Sequence, residues 1–103
     1  MRVIHLKNDI DILTEKLFNL VPNTIAVFII DHEGLIVHST APGTEKIEML
    51  AAFVRDAVKL ISEMIVSFGA QSIKTIVIRV NNYAFHIFPL EKIIGVAIAK
   101  RKT

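Results

Sequence analysis

Between Thr44 and Phe68 the chain reads TEKIEMLAAFVRDAVKLISEMIVSF, a helix pattern that is apolar over too much of its circumference for a single core. At about 100° per residue, Met49, Leu50, Ala51, Phe53, Val54, Ala57, Val58, Leu60, Ile61, Met64, Ile65 and Phe68 sweep roughly 200° of arc. Glu45, Glu48, Arg55, Lys59, Ser62 and Glu63 fill the remaining sector, with Asp56 at its margin. A helix lying on one sheet needs an apolar stripe only somewhat wider than about 100°. The surplus face, Met49, Phe53, Leu60 and Met64, needs a second cover. Left in water, each of these side chains forfeits about 1.5–3 kcal/mol of burial. A second copy of the chain is the simplest cover, so the pattern predicts an obligate dimer that works by contact.

The rest of the composition agrees. The 103 residues suit one domain, 1–103, and 52% of them are hydrophobic, more than an ordinary soluble domain carries. A mean hydropathy of +0.53 requires either a membrane or a partner. The longest apolar run is Ile25 to Ile30, far short of the roughly 20 residues a bilayer needs. Arg55, Asp56, Lys59 and Glu63 exclude the long helix as a span, and Met1-Arg2 leads into a polar-interrupted segment, not a signal peptide. With no cysteine there is no disulfide, thiol nucleophile or thiolate metal site, which suits a reducing cytoplasm. The net charge is only +2, and the basic residues are scattered apart from Lys100, Arg101 and Lys102. That cluster reads as a solvated tail, and without an internal basic stripe no nucleic-acid partner is expected.

Asn8 and Asp9 mark a helix start, Ile10, Leu13, Leu17 and Leu20 form its apolar face, and Pro22-Asn23 end it. TIAVFIID, residues 24–31, has almost no polar alternation and reads as an inner strand covered on both faces. Asp31-His32-Glu33-Gly34 turns it into a second strand, Leu35 to Ser39, with Gly34 available for a positive φ. Ala41-Pro42-Gly43 breaks the chain, Thr44 can cap the long helix, and Gly69 stands where a left-handed C′ residue belongs. Three strands follow: Ser72 to Val80, Tyr83 to Pro89 after the Asn81-Asn82 turn, and Ile93 to Lys100 after Leu90-Glu91-Lys92. The order α-β-β-α-β-β-β predicts an α+β fold with a five-stranded, mainly antiparallel sheet between helices. The first and last strands are expected inside, and Lys74 and Arg79 put the third at an edge. An open edge is an aggregation hazard, which pairing between two copies of that strand would remove.

This order of segments resembles the Roadblock/LC7 family over roughly residues 9 to 100. The resemblance rests on an apolar strand entering an Asp-x-Glu-Gly turn and a second apolar strand, here Val27-Phe28-Ile29-Ile30-Asp31-His32-Glu33-Gly34-Leu35-Ile36-Val37. It continues through the long helix, Leu50-Ala51-Ala52-Phe53 to Met64, and through a strand-turn-strand unit from Thr75 to Pro89 with an apolar closing strand. Asn81-Asn82 stands where the family has an acidic or glycine-containing turn. The resemblance implies a homodimer or heterodimer with the long helices side by side and the third strands paired. Met49, Phe53, Leu60 and Met64, with Lys74, Ile76 and Ile78, are then the interface. It also implies a platform for a small Ras-like GTPase, or a subunit of a motor or signalling assembly. Glu48, Arg55, Asp56, Lys59 and Glu63, on the polar sector of the long helix, are the candidate partner-binding residues; the plain reading is a solvated face of mixed charge.

Chemistry finds little support. His5, His32, His38 and His86 are widely spaced, and none has helical metal-ligand spacing with another. His32 with Asp31 and Glu33 reads as a solvated turn, while His38 and His86 read as partly buried, hydrogen-bonded strand residues. No nucleophile elbow and no phosphate-binding glycine loop is present, so neither cofactor, metal nor bound nucleotide is expected, and any GTP belongs to a partner. The expected function is a non-enzymatic, cytoplasmic interaction module. A profilin- or longin-like small-ligand sensor, or a small enzyme using His86 or His38, are the alternatives.

Overall fold

The computed structural model describes residues 6–41 and 44–101. His5, Pro42, Gly43 and Lys102 fall outside them, as do the side chains of the proposed caps Asn8 and Thr44. Seven elements follow the predicted order: α1 (Leu6–Leu20), β1 (Thr24–Asp31), β2 (Ile36–Ser39), α2 (Thr44–Val66), β3 (Ile76–Arg79), β4 (Tyr83–Pro89) and β5 (Ile93–Lys100). The helix start expected at Asn8-Asp9 comes earlier. The chain is already helical at Leu6, so Asp9 lies in the first turn, where its charge complements the helix dipole.

The strands form one antiparallel sheet in the order β2-β1-β5-β4-β3. β1 and β5 are inner strands, as their unbroken apolar sequences predict, and β3 is an edge. Side chains alternate between the two faces. Phe28 and Ile30 of β1, Ile87 of β4, and Ile94 and Val96 of β5 pack with Ile47, Ala51, Val54 and Val58 of α2. Val27 and Ile29 of β1, with Ala97 and Ala99 of β5, pack on the other face with Ile10, Leu17 and Val21 at and just beyond α1. The sheet is therefore the middle of three layers, with no buried polar or charged side chain among the described residues.

Local chemistry sets the connections. Asn23 takes φ +63°, a left-handed conformation asparagine tolerates, and turns the chain from α1 into β1. The β1–β2 turn needs Gly34 at φ +90°, and Asp31 Oδ1 locks it by accepting the Glu33 and Leu35 N–H groups. At the end of α2, Gly69 at φ +80° is the predicted left-handed residue. Its N–H donates to Val66 O and the Ala70 N–H to Ile65 O, the paired bonds of a Schellman motif.

One glycine leaves room for a packed side chain. A Cβ on Gly95 would lie 2.9 Å from Leu17 Cδ1, so α1 rests directly on the β5 backbone at that point. Gly95→Val should lift α1 and cost about 1–3 kcal/mol, read as a lower denaturant midpoint with an unchanged oligomeric state.

Besides starting β2 one residue late, at Ile36, the structure shortens two predicted elements. The third strand, expected from Ser72 to Val80, pairs only over Ile76–Arg79, opposite Ala84–Ile87, although β4 itself runs on to Pro89. Lys74 thus lies outside the strand, in the connection from α2. The long helix ends at Val66, with Ser67 and Phe68 in the turn that Gly69 closes.

A candidate interaction surface

The surface begins with the way α2 meets the sheet. Its buried residues, Ile47, Ala51, Val54 and Val58, recur at four, three and four residues, a single narrow seam. Val58 is the last of them, and the turns from Lys59 to Val66 carry no fully buried side chain. Met49, Phe53, Leu60 and Met64 are 60%, 62%, 59% and 55% exposed. The sequence reading thus placed all four correctly on the uncovered face, and overlooked Ile47, whose spacing to Ala51 and Val54 marks it as core.

The polar flank of α2 is anchored. Arg55 NH1 donates to Glu33 O in the β1–β2 turn at 3.1 Å, and its guanidinium also meets Asp56 at 2.9 Å. The Arg55 stem covers Gly34, with Cδ 3.2 Å from where a Cβ would stand. This flank therefore lies toward the β1–β2 side, and the apolar stripe, on the opposite flank, lies toward the β3 edge. Of the candidate partner-binding residues, the structure joins only Arg55 and Asp56. Glu48, Lys59 and Glu63 stand exposed along the same flank.

β3 continues the apolar surface. Ile76 pairs with Ile87 and Ile78 with Phe85, so both isoleucines share the α2 face of the sheet with the stripe. Ile78 is exposed and Ile76 half-buried. Lys74 borders a shallow pocket of about 430 Å³ with Ile73, Pro89 and Leu90, beside the strand and not in it. Val77 and Val80, which the sequence reading did not single out, are also exposed on this edge.

The histidines differ from expectation. His32 Nε2 lies 2.8 Å from Leu90 O, so in the tautomer that donates it staples the β1–β2 turn to the β4–β5 turn. His38 and His86 are half-buried, yet among the described residues neither has a protein hydrogen-bond partner. Burial, reinforced by the nearby Arg79 charge, holds the His86 imidazole below its ordinary pKa. Arg101, expected in a free tail, is tied back: its N–H donates to Asn82 O and its guanidinium to Val80 O. Among the described residues no group of acids and histidines is arranged to hold a metal ion, and no helix is long and apolar enough to cross a membrane.

The described residues thus form a three-layer α/β/α unit with an exposed β3 edge and an exposed apolar stripe on α2. The chain belongs to the Roadblock/LC7 domain family, whose model matches residues 10–98. A Roadblock/LC7 domain from Streptomyces avermitilis superposes with a TM-score of 0.76 at 17% identity, covering 89% of this chain and 78% of that one. MglB of Myxococcus xanthus gives 0.76 at 15% identity, with coverage of 92% and 78%. The gliding protein MglB from Thermus thermophilus gives 0.77 at 12% identity, with coverage of 97% and 77%. At these identities the likeness is one of fold. No curated protein matches the sequence.

Proposed function

We propose that this chain is a homodimeric, non-catalytic adaptor, acting in the cytoplasm, whose dimer offers a platform to a small Ras-like GTPase. The observation that carries the dimer is the exposed stripe of α2. Its spacing, Met49 to Phe53 to Leu60 to Met64, runs four, seven and four residues, the same in both directions. An antiparallel copy about a twofold between Asp56 and Ala57 sets Met49 over the partner copy's methionine and Phe53 over its leucine. Such self-complementarity is what an isologous interface requires.

The β3 edge suits the same operator. In an antiparallel pair, opposed residues point to one face, so a twofold normal to the sheet must carry each residue onto one of like parity. With Val77 on the axis each Ile76 faces the other copy's Ile78, and with Ile78 on the axis the two Ile78 side chains meet, in either case on the face that carries the helices. Lys74 flanks this pairing from outside the strand.

The GTPase reading rests on family membership, and the presence of MglB among similar structures accords with it. The platform is the outer polar flank of the two α2 helices, with Glu48, Lys59 and Glu63 exposed and Arg55 and Asp56 fixed by their mutual ion pair. Capture of partners from the native lysate in GTP analogue or in GDP tests this. A small GTPase enriched in one nucleotide state is the expected result. Recovery of none in either state overturns the GTPase reading and leaves the dimer standing.

A further inference from the structure

The end of the sheet where α1 gives way to β1 is built from acid-free stretches of chain. No Asp or Glu occurs from Lys16 to Ile30, and from Met64 to Thr103 only Glu91 does, in the β4–β5 turn at the sheet's other end. Backbone bonds gather these stretches. Lys100 pairs with Tyr83, its N–H donates to Asn23 O, and Arg101 is tied to Asn82 O and Val80 O. Arg79 closes the β3 side, opposite Ala84, and Lys16 lines a shallow hollow with Asn19 and Leu20 at the end of α1. Lys16, Arg79, Lys100 and Arg101 are all exposed, and among the described residues none of them meets a carboxylate. Apolar side chains stand exposed among them: Leu20 at 63%, Ile25 at 54%, Val80 at 44% and Tyr83 at 40%. Ile25 projects from a free margin, because the β2 ladder on β1 stops at Phe28.

We propose that this end of the sheet docks on an anionic lipid bilayer, the four cations meeting acidic headgroups while Leu20, Ile25, Val80 and Tyr83 enter the headgroup boundary. Charge complementarity comes first: four cations on acid-free segments suit a negative surface, whose potential attracts each nearby Lys or Arg. The apolar side chains then choose among negative surfaces. A nucleic acid would engage the cations through its phosphates but leave the aliphatic Leu20, Ile25 and Val80 in water. A bilayer boundary takes them in, and the amphipathic ring of a tyrosine suits the same depth. Arg101, bonded to Val80 O and Asn82 O, holds the β3–β4 turn in place before contact. The contact is peripheral, since no helix among the described residues is long and apolar enough to cross. It belongs to the single chain and is independent of the α2 platform. The twofold of the proposed dimer, normal to the sheet, carries the two copies' basic ends to opposite sides.

The test mixes the full chain with vesicles of phosphatidylcholine alone, or of phosphatidylcholine and phosphatidylserine in equal parts, and measures bound protein by co-sedimentation. The expected result is binding to the mixed vesicles only, weakened as salt rises. Lys16→Gln combined with Lys100→Gln should weaken it about 25-fold, about fivefold for each cation removed. Leu20→Ser combined with Ile25→Ser should weaken it as well, with unchanged far-ultraviolet dichroism because both side chains are over half exposed. Phe53→Glu, outside this surface, should bind as the parent does; loss of binding there overturns a site on the single chain. Binding to neither kind of vesicle, or equally to both, overturns the proposal, as does binding that survives the Lys16 and Lys100 substitutions. A DNA duplex bound as tightly as the mixed vesicles, with no effect of the serine pair on either, overturns it in favour of a phosphate-seeking surface.

Discussion

Phe53→Glu should convert the dimer to a folded monomer. Phe53 is 62% exposed in the single chain, so the charge costs its fold little. Across the proposed interface the residue occurs twice. Each copy loses about 1.5–3 kcal/mol of burial and brings a carboxylate into an apolar seam. The dissociation constant should rise about a thousandfold or more. Sedimentation velocity at micromolar protein would show a single species of monomer mass with unchanged far-ultraviolet dichroism. A surviving dimer would remove the α2 stripe from the interface.

The neighbouring residue should behave in the opposite way. Val54 is buried between α2 and the sheet, with Phe28, Ile87 and Val96 in the same cluster. Val54→Glu would bury a carboxylate where no protein group can pair with it, a cost of more than about 4 kcal/mol. Against a stability of about 5–15 kcal/mol for a domain of this kind, the outcome is loss of cooperative thermal unfolding. A Val54→Glu protein that melts like the parent would contradict the placement of α2. Two adjacent positions on one helix thereby separate folding from association.

Much of this was legible from the chain because the patterns have one cause each. TIAVFIID and IIGVAIAK lack polar alternation because both faces of β1 and β5 are covered, and that places them at the centre of the sheet. The over-wide arc of α2 exists because a core seam and an uncovered stripe share one helix. The extent of β3 was not legible. Ser72 to Val80 carries β-branched residues throughout, yet only Ile76–Arg79 joins the ladder with β4, and β-branched content does not mark where pairing begins. The bond from His32 to Leu90 spans 58 positions, and that of Arg55 to Glu33 spans 22. Such contacts have no local signature. The β3–β4 register is of the same kind, since it alone brings Val77 and Arg79 opposite His86 and Ala84.

β2 bears on how large such an assembly can grow. It is four residues long, and its pairing with β1 slips at a bulge between Ile29 and Ile30. If the β3 edges are joined in the dimer, the two β2 edges are the sheet's only remaining ends. Short, bulged edges are poor templates for further strands. In the proposed dimer the sheet would therefore stop at ten strands instead of running on as a fibril.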